Sequence, residues 1–242
     1  MIIQTIAKFF KLAAIPLLLG FPIAIIAYRL QVWQMATSFQ IIKFTGYGSA
    51  IIFTLALLLA LFSLFKKQAN VAKSYGLVMI LLAIPVIGLS MQASKAKSLP
   101  FIHHVSTDTV NPPKFQAIVA LRGENSNPLA YDSEKLAPLQ KAAYPKVKSI
   151  MSELNTQQAF SRAVDTAMNL GWEIVAKNAE QGIIEAVDTT LLWAFKDDVV
   201  IRIQATTSGS KIDLRSISRI GGTDLGANAK RVETFISNFS AS

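Results

Sequence analysis

Three uncharged and strongly apolar runs occupy the first third of the chain, at residues 12–28, 44–65 and 74–94. Each has the roughly 17–25 residues that a helix needs to cross a bilayer. Prolines such as Pro16 and Pro85 are costly inside soluble helices, but membrane helices tolerate them where neighbouring groups satisfy the freed carbonyls. The pattern therefore predicts three transmembrane helices, of which the first and third are kinked.

The segment 30–42 is too short to span a bilayer, yet its apolar residues recur at helical spacing while Gln31, Gln34 and Ser38 fall on another face. These apolar residues are Val32, Met35, Ala36, Phe39 and Ile42. We expect a helix lying in the membrane interface over 30–42, with a plain loop as the alternative. The first apolar run has a second alternative, a cleaved signal peptide, but residues 25–33 offer no small-x-small cleavage site.

The composition changes after Ser94. Residues 95–115 are polar, contain three prolines and show no helical period, which predicts an extended arm between a membrane region at 1–94 and a soluble domain at 116–242. Early in that domain, FQAIVAL (115–121) predicts a strand, and SEKLAPLQKAAY (133–144) predicts a helix that Pro145 stops.

The remainder of the chain alternates in a way that predicts an α+β domain. Asn155 or Thr156 caps an amphipathic helix that ends at Gly171, and a second amphipathic helix starts at Leu225. Between them lie four strand-like runs, WEIVAKN, GIIEAVDTT, DVVIRIQAT and KIDLRSISRI. Connections this short exclude crossover helices, so we expect a four-stranded antiparallel meander with helices packed on one face.

The last two strands allow a register to be predicted. A two-residue turn at Ser208 and Gly209 places Ile203 opposite Leu214 on an apolar face, and Arg202 opposite Arg215 on a polar one. Those two arginines would repel each other unless Asp213 or a bound anion lay between them.

Composition and charge locate the protein in a membrane. The 242 residues are 52% hydrophobic and carry a formal net charge of +9, but the first 93 residues hold seven Lys or Arg and no Asp or Glu. Because the basic excess flanks apolar runs, it marks membrane boundaries and does not indicate a nucleic-acid partner. The absence of cysteine excludes disulfides and thiolate metal sites.

The basic residues beside the spans are distributed with a slight bias, five on the side of the N-terminus and four on the other. They are Lys8, Lys11, Lys66, Lys67 and Lys73 against Arg29, Lys43, Lys95 and Lys97. We therefore expect a multi-pass protein of the bacterial inner membrane with its N-terminus in the cytoplasm and its C-terminal domain in the periplasm.

The candidate chemistry lies around the last strand and the helix that follows it. Arginines on one sheet face, next to a glycine turn and a helix start, are groups that hold a phosphate or carboxylate. The candidate ligand- or partner-binding residues are Arg202, Asp213, Arg215, Arg219, Asp224 and Asn228. Ion pairs, a glycine turn and an Asp cap without any ligand are the alternative explanation of the same residues.

Other groups of polar residues are weaker candidates for a functional site. His103 and His104 are adjacent in an extended arm, so their side chains point apart, and we predict no metal site and no cofactor. Asp198, Asp213 and Ser216 are the residues that a hydrolase acting on an envelope substrate would use, although Ser216 has no neighbouring base in the sequence.

Four segments carry a family resemblance: PFIHHVSTDTVNPPKF (100–115), AYPKVK (143–148), FKDDVVIRI (195–203) and DLRSISRIGGTDLGANAKRV (213–232). They resemble the family known as domain of unknown function 1499, which occurs in bacteria and in plastid-bearing eukaryotes, over essentially all of residues 100–240. The membrane half is similar to the amino-terminal region of proteobacterial members. The resemblance implies no established activity or cofactor, and it leads us to expect an acidic residue where this chain has His104.

These observations favour a non-enzymatic inner-membrane protein whose periplasmic domain binds a partner protein or an anionic envelope ligand. One alternative is an accessory subunit of a larger membrane protein complex, held mainly by the three helices. The other is the envelope hydrolase described above.

Overall fold

The computed structural model describes residues 2–241, which divide into two compact units at Lys95 and Ala96. The first unit, called here the membrane unit, is built from α1 (Ile2–Arg29), α2 (Met35–Phe65) and most of α3 (Ala69–Ser98). All three helices are long and apolar enough to cross a membrane. The predicted architecture, three transmembrane helices followed by an antiparallel α+β domain, is confirmed.

The prediction of a separate interfacial helix at 30–42 is wrong. Residues 30–33 form a turn in which Gln31 has a φ of 58°, and α2 then runs without interruption from Met35 to Phe65. At 1.5 Å per residue α2 is about 46 Å long, well beyond the roughly 30 Å hydrocarbon core. Lys43 does not end the helix, because a lysine stem can lie along apolar surface while its ammonium reaches water.

Polar side chains fasten the helices of the membrane unit to one another. The indole N–H of Trp33 donates to Ser38 Oγ at 2.7 Å, and that hydroxyl donates to the carbonyl of Ala24 at 2.7 Å. The hydroxyl of the buried Tyr75 donates to the carbonyl of Ile3 at 2.8 Å. Such hydrogen bonds, together with small residues at helix contacts, are the usual means of helix association in lipid.

The described residues of the second unit, the sheet domain (residues 96–242), form six antiparallel strands, two more than predicted. The strands are β1 (His104–Ser106), β2 (Ile150–Ser152), β3 (Glu173–Asn178), β4 (Ile183–Thr189), β5 (Lys196–Thr206) and β6 (Gly209–Ser218). The helices are α4 (Ser133–Ala143), α5 (Thr156–Asn169) and α6 (Ala227–Ala241). The strand order is β1-β6-β5-β4-β3, and β2 lies beside β1 on the same outer edge of β6.

The predicted register of β5 and β6 is wrong by two residues. Arg202 opposes Asp213 and Ile203 opposes Ile212, because the turn is made by residues 207–208 and Gly209 already belongs to β6. A shift by two keeps every side chain on its predicted face. It does, however, replace the expected Arg202–Arg215 pair with a pair of opposite charges.

The sheet is covered on both faces. α5 and α6 pack on one face, where Phe235 of α6 belongs to the same core as Ile201 and Leu214 of the sheet. On the other face lies an irregular segment, residues 107–131, called here the cover; its Phe115 and Ile118 pack against Val200, Val187 and Ile217 of the sheet. The predicted polar face is therefore mostly buried.

The predicted strand at 115–121 is also wrong, since Ala117–Leu121 is a 3-10 helix. Its first N–H groups are bound by the buried carboxylate of Glu185 on β4. One carboxylate oxygen accepts from Gln116 at 2.8 Å and Ala117 at 2.9 Å, and the other accepts from Ile118 at 2.9 Å. The N–H groups at the start of a helix have no partner within it, and here a carboxylate that is distant in the sequence accepts their hydrogen bonds.

Candidate functional site

Arg215 is the centre of the buried polar face of the sheet, and it is only 4% exposed. Its Nε donates to Nε2 of His104 at 2.6 Å, and its two terminal nitrogens donate to the carbonyls of Pro113, at 2.8 Å, and Leu129. The guanidinium also lies 5.1 Å from the centre of the Phe115 ring. β6 thus places a cation beneath the cover, in contact with His104 of β1.

The surroundings of Arg215 change the protonation of its neighbours. Burial, followed by the positive charge of Arg215, lowers the pKa of His104 to about 2, so the imidazole is neutral and its Nε2 accepts a hydrogen bond. Burial lowers the pKa of Arg215 itself to about 10. Burial also raises the pKa of Tyr131, whose ring meets the His104 ring edge-on at 5.0 Å, to about 12.

Two further arginines converge on the fully buried carboxylate of Asp198. Arg219, from the end of β6, contacts one oxygen through Nε at 2.9 Å and through a terminal nitrogen at 2.7 Å. Arg122, from the cover, donates to the other oxygen. Burial lowers the pKa of Arg122, and the positive charge of Arg219 lowers it further, while Asp198 acts in the opposite direction.

These groups form what we call the arginine cluster: Arg122, Arg215, Arg219, Asp198 and His104. Arg122 links the Arg215–His104 pair to the Asp198 carboxylate. It pairs with Asp198, and its positive charge lowers the pKa of both Arg215 and His104. Within residues 2–241, Arg122, Arg202, Arg219 and Arg231 all form ion pairs with carboxylates, whereas Arg215 forms none. Three buried or half-buried guanidinium groups therefore share one carboxylate.

Arg202 and Asp213 belong to a separate and electrically balanced group. Arg202 pairs with Asp213 at 2.8 Å and with Asp108 at 3.0 Å, and Lys211 lies 3.2 Å from both carboxylates. Burial alone would raise the pKa of Asp108, but hydrogen bonds from the Asn111 N–H and from Lys211 outweigh it and lower that pKa. Two cations and two anions here neutralise each other.

Asp224 and Asn228 lie on the helix-covered side of the sheet, away from the arginine cluster. Asp224 accepts from the N–H groups of Gly226 at 2.9 Å and Asn228 at 2.8 Å, and so caps α6. The Asn228 amide donates to the carbonyl of His103 and to Ser218 Oγ, both at 2.9 Å, and accepts from Ser216 Oγ at 2.6 Å. These contacts fasten α6 to β6 and to the arm.

The six predicted site residues therefore occupy three places. Arg215 and Arg219 belong to the arginine cluster, Arg202 and Asp213 to the balanced group, and Asp224 and Asn228 to the start of α6. Arg122, His104 and Glu185 were missed, because nothing in the sequence indicates that the cover folds back on the sheet. The one available signal was His104 itself, which stands where the family resemblance leads one to expect an acid.

The residues considered for hydrolysis do not meet. Asp198 and Asp213 lie on the cover side of the sheet, while Ser216 points to the helix side, where its Oγ contacts Asn228 and Arg231. Among the residues that the structure describes, His, Asp and Glu form no group of three suited to holding a metal ion.

The fold and the site define a membrane-anchored α+β protein with a buried arginine cluster under an irregular cover. Residues 104–239 match the profile of the family described as "Protein of unknown function (DUF1499)", so the chain belongs to that family. The match contains the sheet, the cover and every residue of the arginine cluster. No curated protein matches the chain.

Proposed function

We propose that the protein is a non-enzymatic membrane protein whose sheet domain binds the phosphate or carboxylate group of an anionic envelope ligand at the arginine cluster. The observation that carries this proposal is the charge of the cluster, in which Arg122, Arg215 and Arg219 have only the Asp198 carboxylate among them. A buried cation without a counter-ion is costly, and a bound anion would remove that cost.

The donors of the cluster support an anion as ligand. Each guanidinium has five N–H groups in a planar fork, and Arg215 uses three of them on the imidazole and two carbonyls. Such forks bind the planar or tetrahedral oxygens of carboxylate and phosphate in two-point contacts. The neutral His104 and the two carbonyls position the fork without neutralising it.

The cluster lies mostly below the surface. The side chain of Arg122 is 6% exposed and that of Arg219 is 13% exposed, and Arg215 is buried. A flat protein surface contacts only exposed side chains, whereas a single anionic group is small. This favours an anionic ligand over the partner protein considered from the sequence.

The proposed setting is the periplasmic side of a bacterial inner membrane. It follows from the excess of basic residues on the N-terminal side of the spans. Fusion of a reporter that is active only in the periplasm to the C-terminus tests this topology; activity of a cytoplasm-specific reporter at the same site would contradict it.

The binding proposal is tested on the full-length protein in lipid nanodiscs, with inorganic phosphate as the probe. Thermal unfolding is followed by fluorescence with phosphate or chloride at matched ionic strength. Phosphate at 100 times its dissociation constant should stabilise the folded state by about 2.7 kcal/mol. Arg122→Gln should abolish this shift, and it should leave the fold intact because Arg219 still holds Asp198 through two contacts.

Two controls make the result specific. Arg202→Gln removes an arginine of the same sheet face from the balanced group, and it should retain the phosphate shift. His104→Asp places a carboxylate beside Arg215 and should weaken the shift while the domain stays folded. Equal shifts in wild type, Arg122→Gln and His104→Asp would refute binding at the cluster.

A further inference from the structure

The membrane unit contains an open cavity of about 930 Å³. It lies between the start of α1 and the turn that joins α2 to α3, and it is lined by Ile3, Gln4 and residues 67–71. The hydroxyl of Tyr75, on α3, donates to the Ile3 carbonyl at 2.8 Å and so joins two walls of the cavity. Sites for small molecules have volumes of roughly 300–1,000 Å³, so the cavity is large enough for a ligand.

The end of the membrane unit that holds the cavity carries uncompensated positive charge. Five lysines flank the spans at this end: Lys8, Lys11, Lys66, Lys67 and Lys73. The first acidic residue of the chain is Asp108, so the membrane unit has no carboxylate side chain to pair with them. The first turn of α3 lines the cavity without any acidic residue, and it adds the positive end of a helix dipole.

One stripe of α1 leads away from the cavity. Gln4, Lys8 and Lys11 recur at helical spacing and therefore share a face. The Lys11 ammonium donates to Ser74 Oγ of α3 at 3.3 Å. The next turns of the same face carry apolar side chains that are half or more exposed: Leu12 (67%), Ile15 (53%) and Leu19 (50%). The stripe thus changes from cationic to apolar in the order in which a phospholipid presents its phosphate and its acyl chains.

We propose that the cavity binds the headgroup phosphate of an anionic phospholipid. The binding residues, called here the lysine site, are Gln4, Lys8, Lys11, Lys67 and Asn70. Basic pockets between membrane helices are suited to anionic headgroups, because each ammonium group near the phosphate contributes attraction. The amide groups of the lysine site add neutral hydrogen-bond donors for the phosphate oxygens.

The apolar part of the stripe distinguishes a lipid from a free phosphate ion. A phosphate ion would contact only the polar end, whereas an acyl chain can lie along the exposed leucine and isoleucine side chains and bury them. Lys11 and Lys73 come directly before apolar spans, which places the lysine site at the level of the headgroups. The lysine site lies wholly within the membrane unit and shares no residue with the arginine cluster.

Native mass spectrometry of the full-length protein in a non-ionic detergent tests the proposal. The probe is phosphatidylglycerol, and zwitterionic phosphatidylcholine with the same acyl chains is the comparison. The test variant combines Lys8→Gln with Lys67→Gln and removes two exposed charges of the lysine site. The matched control combines Lys43→Gln with Lys97→Gln, two exposed lysines beside the other ends of the apolar runs. Both variants change the net charge equally and leave the arginine cluster intact.

The wild type should bind phosphatidylglycerol more tightly than phosphatidylcholine. The test variant should bind phosphatidylglycerol about 25-fold more weakly, roughly five-fold for each lysine, and the control should keep the wild-type affinity. Equal affinity of the wild type for the two lipids would overturn the proposal, as would equal weakening in the test and control variants. Displacement of phosphatidylglycerol by an equal concentration of inorganic phosphate would also overturn it, since the ligand would then be a free anion.

Discussion

Arg215 and His104 form a buried pair in which the guanidinium donates through Nε to a neutral imidazole at 2.6 Å. A guanidinium paired with a neutral imidazole leaves a net charge of +1, whereas a guanidinium paired with a carboxylate leaves a net charge of zero. The acid expected at position 104 from the family resemblance would have supplied that carboxylate. This chain therefore retains a positive charge under its cover that an acid at this place would cancel.

The pair makes stability depend on pH. In the folded state the pKa of His104 is about 2, whereas in the unfolded chain it is near 6.5. Below pH 6.5 the unfolded chain gains a proton that the folded protein cannot take up, so stability falls as pH falls, at up to about 1.4 kcal/mol per pH unit. Denaturant unfolding of the sheet domain between pH 7 and pH 5 measures this slope.

His104→Gln should flatten that slope, because glutamine offers Arg215 an acceptor without titrating. His103→Gln, at the neighbouring half-buried histidine, is the matched control and should leave the slope in place. An unchanged slope in His104→Gln would show that other groups cause the pH dependence.

Asp198→Asn should be among the most destabilising single changes in the sheet domain. It removes the carboxylate that holds Arg122 and Arg219 and leaves the two buried or half-buried cations unpaired. Breaking a buried ion pair on one side costs about 3–5 kcal/mol. Chemical denaturation measures the loss, and Asp165→Asn on the exposed surface of α5 should change stability by less than about 0.5 kcal/mol.

Glu185→Gln should release the 3-10 helix of the cover. The carboxylate accepts three backbone N–H groups, and an amide can satisfy only part of that set. We expect a loss of about 1.5–3 kcal/mol, with faster amide hydrogen exchange concentrated at 116–121. Glu180→Gln, in the exposed β3–β4 turn, should change neither the stability nor the amide exchange at 116–121. Equal exchange rates in the two variants would contradict the capping role of Glu185.

Gly182→Ala should be more harmful than Gly171→Ala, although both glycines have positive φ, 65° and 80°. An added Cβ at Gly182 would lie 2.2 Å from the carbonyl oxygen of Ile203, whereas at Gly171 it meets nothing within 4 Å. The Gly171 change should cost about 1–2 kcal/mol for the left-handed backbone alone. Equal losses of thermal stability in the two variants would refute the predicted clash between the added Cβ at position 182 and the Ile203 carbonyl oxygen.

Local periodicity was enough to predict the architecture but not the pairing. The alternation along β5 and β6 identified which side chains share a face, since that depends only on a period of two. The register depended on which residues form the turn, and Ser208–Gly209 was as plausible as the observed 207–208. The 30–42 helix failed for a related reason, because helical spacing does not reveal that a helix continues past Lys43.

The candidate site was less accessible to prediction, because its neutralising and covering groups come from far away in the sequence. Arg215 meets His104 and the Pro113 and Leu129 carbonyls, which lie about a hundred residues earlier. The cover has almost no regular structure and hence no periodic signal. Short-range pattern thus identified the arginines of β6 but not their environment.

The outer edge of β6 pairs with β1 and β2, two short strands that come much earlier in the sequence. This topology predicts an order of events during folding. The β3–β6 meander joins neighbours along the chain, whereas His104 must wait for Ile217, 113 positions later. Contacts of such separation form late, since loop closure opposes them. Until β1 and β2 pair with it, β6 has an open strand edge that can pair with another copy. The two short strands therefore also protect the sheet against edge-to-edge aggregation.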